Sequence, residues 1–211
     1  VVNNTMVLIS GTSRGLGSAL YKYFTSKGFT TYSINKNKIG NNNFLIDLTA
    51  RNIDIPILES VFSKYKKIIF ISNASIISPM GNFAEEGLKS CIEDSIYINY
   101  INPLNIIFSI ISTKKKFIVI NISSGAALSS NEGLSLYSSS KAAKHRFIDI
   151  LKKENLSNKD ALYIDNFDPG RMNTDMQKEL LSFKNIPNKK YSLSDTENVA
   201  KKLFEIVNKA L

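Results

Sequence analysis

What most constrains this chain is a repeated alternation of short apolar runs with longer stretches of helical spacing. The runs are Met6–Ser10, Thr30–Ile34, Phe44–Asp47, Ile68–Ser72, Phe117–Ile122 and Leu162–Phe167. A strand with one wet face alternates apolar and polar residues. A strand without that alternation is covered on both faces, as in a parallel sheet between two helix layers. Helical spacing falls at Leu16–Ser26, Pro56–Tyr65, Leu88–Ile111, Tyr137–Glu154 and Thr196–Ala210. The first of these stops at Gly28, and the last opens with Ser194 and Glu197 at capping-box spacing. Because such crossovers are right-handed, the order predicts an α/β, doubly wound, three-layer Rossmann fold with a parallel sheet of about six strands. Ligands of such sheets bind beyond the carboxyl ends of the strands.

A chain of 211 residues suits a single domain, 1–211, since cores divide only above about 250 residues. No apolar run approaches the roughly 18 residues of a membrane helix. The start, Val1 to Thr5, is uncharged, with no basic segment ahead of an apolar one, so a cytoplasmic location is expected. One cysteine, Cys91, cannot pair within the chain, and with the single histidine His145 it cannot build a soft-ligand metal site. Cys91 is expected as a buried apolar residue. The net charge of +9 favours encounters with anions. Its lysines fall in small groups (Lys64, Lys66, Lys67; Lys114 to Lys116; Lys152, Lys153; Lys189, Lys190) rather than in a basic stripe interleaved with aromatics. They are expected on solvated faces, with neither nucleic acid nor membrane as partner.

The first strand runs into Gly11-Thr12-Ser13-Arg14-Gly15-Leu16-Gly17, which opens a helix. Glycine lets a backbone turn tightly and approach a pyrophosphate, which then meets free N–H groups and the positive end of the helix dipole. Glycine turns also arise for structural reasons, but the place between strand and helix favours a nucleotide. A P-loop is excluded, because the motif ends Gly17-Ser18-Ala19 instead of Gly-Lys-Ser/Thr. Further on, Tyr137 and Lys141 stand four residues apart, on one face of a helix. An ammonium near a phenol favours the phenolate and draws its pKa from about 10 toward neutrality, which suits a proton donor. In a lysine-rich chain the same spacing also describes an exposed helix pair. Here it follows a strand that ends in Ser123, Ser124 and Gly125.

Together these motifs resemble the short-chain dehydrogenase/reductase family from about Met6 to Thr174, with Ser10 in place of the leading threonine of TGxxxGxG. The resemblance extends to Ser72-Asn73-Ala74-Ser75 for the family's Asn-Asn-Ala-Gly, altered at both ends, and to Asp47-Leu48, Asn99 and Pro169-Gly170 with Thr174. The segment Pro169 to Gln177 is similar to the subgroup of sepiapterin and benzil reductases. The resemblance implies an NADP-dependent oxidoreductase that reduces a small-molecule carbonyl compound by hydride transfer. It implies Tyr137 as general acid, Lys141 lowering its pKa and binding the nicotinamide ribose, Ser124 holding the carbonyl oxygen, and Asn99 fixing a water between Lys141 and solvent. For the cofactor it implies Gly11, Ser13, Arg14, Gly15, Leu16 and Gly17 at the pyrophosphate and Asp47 with Leu48 at the adenine. Asn73, Ala74 and Ser75 would line it, with Pro169, Gly170 and Thr174 at the nicotinamide. Asn35, where NAD-preferring members carry an acid on the ribose, is followed by Lys36; with Arg14 this implies NADP(H).

Other readings stay open: a reductase of a phosphorylated sugar or polyol precursor, or a non-catalytic NADP-binding sensor or interaction module. Of the two serines only Ser124 is expected to face the substrate, and His145 is expected to have no catalytic part. Met176–Leu193, polar and broken by Pro187, is expected to form a lid. The family's seventh strand is not seen in the pattern. A homodimer is expected through the two long helices, whose Ile101, Leu104, Phe108, Ile111, Phe147, Ile148 and Leu151 extend beyond one core-facing stripe.

Overall fold

The computed structural model describes residues 4–37, 40, 42–77, 79–82, 87–183 and 192–211. Six strands form one parallel sheet: β1 (Thr5–Ser10), β2 (Thr30–Asn35), β3 (Asn43–Leu45), β4 (Lys67–Ser72), β5 (Lys116–Ile122) and β6 (Ala161–Phe167), in the order β3-β2-β1-β4-β5-β6. This is the doubly wound order, reversing direction at β1, and it opens a crevice between the ends of β1 and β4.

Period-two alternation divides each strand between two cores. From β1, Met6 and Leu8 join one, with Phe62 and Leu58 of α2 (Ile55–Phe62), Ile106, Ile107 and Ile110 of α4 (Asn102–Ser112), and Ile148 and Leu151 of α5 (Ser135–Glu154). Val7 and Ile9 join the other, with Leu16, Leu20 and Phe24 of α1 (Gly15–Ser26) and Val199, Leu203 and Val207 of α7 (Thr196–Ala210). Both faces are therefore dry, which is why the strands read as continuous apolar runs. Helix α1 ends through Lys27 and Gly28, whose φ of +83° is the left-handed turn the sequence anticipates.

Several boundaries differ from the sequence reading. The stretch expected as one helix from Leu88 to Ile111 is a 3₁₀ turn (Lys89–Cys91), α3 (Ile92–Ile96), a π-turn (Tyr97–Ile101) and then α4. Pro103 has no N–H to give the Asn99 carbonyl four residues back, and the helix opens there to five-residue spacing, with Asn102 N–H donating to the Tyr97 carbonyl. Helix α7 is capped at Asp195 with no side-chain bond, so the Ser194–Glu197 capping box does not form. Ser194 instead bridges to Met172. Cys91 is half-buried rather than buried. Lys115 is not on a solvated face: its ammonium turns inward to the carbonyls of Phe62, Ser63 and Tyr65, at 2.7, 2.7 and 2.6 Å, and closes the end of α2. Leu104, Ile148 and Leu151 are buried, on the core-facing side of their helices. No described helix is long and apolar enough to cross a membrane.

Candidate active site

At the carboxyl edge of the sheet a cavity of about 820 Å³ runs from the glycine turn to Tyr137 and Lys141. Its first wall is built by close backbone packing. A Cβ on Gly17 would lie 2.0 Å from the Gly11 carbonyl oxygen and 2.6 Å from Asn73 Nδ2, so the start of α1 can press on β1 only with glycine there. Gly11, at φ +72°, likewise leaves 2.8 Å between a Cβ and the Ala74 Cα. The Ser10 hydroxyl accepts from the N–H groups of Asn73 and Ala74, both at 3.0 Å, while Asn73 Nδ2 donates to the carbonyls of Ser10 and Gly11, also at 3.0 Å. Serine thus replaces threonine at position 10 without loss of this clasp. Helix α1 has no side-chain cap and no acid in its first turn, which leaves its N–H groups and positive dipole end for an anion.

Asn35 lines the cavity but is spent on structure. Its Oδ1 accepts from Thr12 N–H at 2.8 Å, and its Nδ2 donates to Thr12 Oγ1 and Asn43 Oδ1 at 2.9 and 2.8 Å. It ties the glycine turn to β2 and β3, and both of its amide hydrogens are spent in doing so. Asp47 holds Lys36 at 2.9 Å and accepts from the Thr49 N–H and hydroxyl. Burial works against the Asp47 carboxylate, but the Lys36 ammonium and Thr49 outweigh it and lower its pKa, while Asp47 raises that of Lys36. Arg14 reaches Asp175 at 3.6 Å. Ser13, Leu16, Leu48, Ser75, Pro169, Gly170 and Thr174 also line the cavity.

At the other end stand the residues expected to do the chemistry. Helix α5 buries Tyr137 and Lys141, and Ser124 lies just past β5, its side-chain oxygen accepting from Ala126 N–H at 3.2 Å. The Lys141 ammonium donates to the Ile122 carbonyl at 2.9 Å and lies 5.7 Å from the centre of the Tyr137 ring. Burial pushes the Tyr137 phenol above its usual pKa, and the Asp168 carboxylate adds to this; hydrogen bonding to Ser124 and Ser75 offsets only part. The sequence expectation of a phenol drawn toward neutrality is therefore reversed here. Burial lowers the Lys141 pKa to about 8 against the pull of Asp168. One turn on, Lys144 is fully buried, its ammonium 3.3 Å from the Ser72 hydroxyl, and burial holds its pKa well below the ordinary lysine range.

Asn99 sits in the π-turn, fully buried. Its Oδ1 accepts from the Ser75 hydroxyl and the Ile76 N–H, and its Nδ2 faces the Ile76 carbonyl, Ser140 Oγ and Ser95 Oγ. The side-chain amide is filled by protein groups, while Pro103 leaves the Asn99 main-chain carbonyl without its α-helical N–H donor. Asp168, absent from the sequence reading, acts on both Tyr137 and Lys141; its place at the end of β6, just before Pro169-Gly170, was the available signal. Ile77, Leu134 and Tyr137 pack with Met80, Ala126, Met176 and Leu180 to make the wall beside the phenol apolar.

Met176 and Leu180 belong to α6 (Asp175–Ser182), which the Thr174 hydroxyl caps by accepting from Gln177 N–H. The expected lid therefore begins as a helix, and its continuation through Pro187 lies outside the described residues.

A Rossmann sheet with this glycine turn and this Ser, Tyr and Lys arrangement defines a class of nucleotide-dependent oxidoreductases. The family model for short chain dehydrogenases matches residues 5–185, and the chain belongs to that family of NAD(P)-dependent oxidoreductases. Over 195 residues it is 28% identical to benzil reductase ((S)-benzoin forming) of Bacillus subtilis, covering 84% of this chain and 78% of that one. The fold is similar to 4-hydroxyisoleucine dehydrogenase complexed with NADH (TM-score 0.81, 19% identity, 97% of this chain and 91% of that one). It is also similar to a short-chain dehydrogenase from Sphingobium yanoikuyae in complex with NADPH (TM-score 0.78, 18% identity, 98% and 85%).

Proposed function

We propose that this chain, working as one domain, is an NADPH-dependent reductase of apolar ketones, diketones or aldehydes. The observation that carries the reading is one continuous cavity with a glycine-built anion cradle at one end and a buried tyrosine beside an apolar wall at the other. The cradle fits a dinucleotide: its backbone is bare where a pyrophosphate would approach, and the cavity is of ligand size. Gly11, Ser13, Arg14, Gly15, Leu16 and Gly17 would hold the pyrophosphate, Lys36 and Arg14 the 2′-phosphate, Asp47 and Leu48 the adenine side. Asn73, Ala74, Ser75, Pro169, Gly170 and Thr174 would hold the nicotinamide half. When bound, the reduced nicotinamide supplies the hydride.

The chain's own residues supply the proton and its placement. Ser124 donates a hydrogen bond to the substrate oxygen, and Tyr137 gives that oxygen its proton. A phenol whose pKa is raised by burial keeps its proton until negative charge develops beside it, as a general acid in the reducing direction requires. Lys141, anchored to Ile122, provides positive charge when the phenolate forms and a donor for the ribose. Asn99 acts from behind by fixing Ser75 and Ile76. Kinship with a benzil reductase and the wall of Ile77, Leu134, Met176 and Leu180 both favour an apolar substrate over a phosphorylated sugar. The buried Tyr137 and Lys141, with Ser124 beside them on the cavity wall, speak against a non-catalytic sensor.

The test is a panel of aryl diketones, simple ketones, aldehydes and sugar phosphates, assayed by loss of reduced-cofactor absorbance. Turnover of the diketones with NADPH supports the reading. Turnover confined to the sugar phosphates contradicts it.

A further inference from the structure

Strands β5 and β6 end side by side. Ile122 faces Phe167 in their register, and Ser123 N–H donates to the Phe167 carbonyl at 2.8 Å. Asp168 therefore leaves the sheet alongside Ser124 and Gly125. A turn fixes its carboxylate: Oδ1 accepts from Gly170 N–H at 2.9 Å, across Pro169, which has no N–H to compete, and Gly170 follows at φ +70°. With one oxygen held in this way, the other, Oδ2, comes within 3.9 Å of where a Cβ on Gly125 would stand. The carboxylate stands next to the neighbour of Ser124, on the cavity wall that Ser124, Gly125, Tyr137 and Asp168 share.

Its charge is not spent elsewhere. Of the acids on the cavity wall, Asp47 holds Lys36 and Asp175 holds Arg14, whereas Asp168 is exposed and forms no ion pair among the described residues. The Asp168 carboxylate acts on the Tyr137 phenol and on the Lys141 ammonium, favouring the protonated form of each, so its field covers the reacting end of the cavity. The cations nearby are turned inward. Lys141 is 2% exposed and donates to the Ile122 carbonyl, and Nη1 of Arg171, which also lines the cavity, is buried. A charged group entering beside Ser124 meets the carboxylate first.

Resting on the carbonyl-reductase reading, we propose that Asp168 sets the charge selectivity of the substrate end: it admits neutral carbonyl compounds, favours those carrying a cationic nitrogen near the carbonyl, and excludes carboxylates. An anion brought beside it loses water against an unfavourable field, whereas an ammonium or amidinium gains a charge-assisted hydrogen bond at Oδ2. The apolar wall of Ile77, Leu134, Met176 and Leu180 takes the rest of the molecule. The substrate class is then a ketone with an apolar body whose substituent beside the carbonyl is uncharged or basic. Asp168 is the specificity-determining residue, since the chemistry stays with Ser124, Tyr137 and Lys141.

Asp168→Asn keeps an oxygen acceptor for Gly170 N–H and nearly the same volume, so it removes the charge alone. Benzoylformate and its methyl ester differ by one negative charge, and the ratio of their kcat/KM values with NADPH cancels any general change in turnover. Asp168→Asn should raise the acid-to-ester ratio about tenfold or more above the parent's. Asp175→Asn, which removes an acid already paired, should leave the ratio within about twofold. A ratio unchanged by Asp168→Asn, or raised as much by Asp175→Asn, overturns the assignment. A second readout needs no turnover: calorimetric titration of the NADP-loaded protein with benzamidine, a cation, and benzamide, its neutral counterpart. The parent should bind benzamidine about tenfold or more tighter than benzamide, and Asp168→Asn should bind the two nearly alike. No benzamidine binding by the parent, or a preference kept in the variant, overturns the proposal. If the parent reduces neither keto compound, the proposed function fails, and the calorimetry alone judges Asp168.

Discussion

Asn35 shows how a single side chain assigned to a ligand by position can also belong to the frame. Thr12 and Asn43 take both of its amide hydrogens, so cofactor choice at the end of β2 falls to Lys36 and Arg14. Both cations are already engaged, with Asp47 at 2.9 Å and Asp175 at 3.6 Å. These are exposed pairs, weakly held and easily shared with a phosphate, and an Arg beside a phosphate gains charge-assisted bonds that a ribose hydroxyl cannot match. Arg14→Ala with Lys36→Ala should therefore lower the NADPH-to-NADH ratio of kcat/KM by roughly tenfold or more, about 1.4 kcal/mol of discrimination. An unchanged ratio would remove both residues from the 2′-phosphate site.

Helix α6 ends at Phe183, whose ring packs against Gly133, where φ is +77° and an added Cβ would fall 2.2 Å from the ring. With Thr174 capping its start, the helix is pinned at both ends across the apolar wall. Gly133→Ala should strain the turn and dislodge Phe183. Stopped-flow and steady-state measurements should then show a higher KM for the carbonyl substrate, with NADPH affinity nearly retained; an unaltered KM would mean that α6 does not shape the substrate end. Such contacts were not legible in the sequence, since Gly133 and Phe183 lie fifty residues apart with no periodic pattern to join them. What was legible followed from local rules: β1 and the glycine turn from an apolar run and three glycines, Tyr137 and Lys141 from helical spacing. The π-turn at Tyr97–Ile101 escaped because apolar spacing continues through it, although Pro103 carried the signal. The raised pKa of Tyr137 escaped because burial, unlike spacing, is a property of the folded molecule.

At the scale of the whole molecule, the outer faces of α4 and α5 retain Phe108, 51% exposed and edge-on to Phe147 at 5.8 Å between ring centres. With Leu104, Ile148 and Leu151 turned to the core, this aromatic pair and the half-buried Ile111 remain for a second copy. We propose a homodimer through this face, since an isologous patch is the commonest way to cover such residues. Light scattering should give about 47 kDa, twice the chain's 23.6 kDa, and Phe108→Glu should halve it. A parental mass near 24 kDa would contradict the dimer.

The central claim is that Tyr137 protonates a substrate carbonyl in the cavity that holds NADPH. Tyr137→Phe removes the phenolic oxygen and almost no volume, so it separates proton donation from packing. The direct measurement is kcat/KM for NADPH-dependent diketone reduction beside the NADPH dissociation constant, in parent and variant. Loss of about 10² to 10⁴ in kcat/KM with nucleotide affinity within about twofold is the predicted result. Turnover within about tenfold of the parent would contradict it.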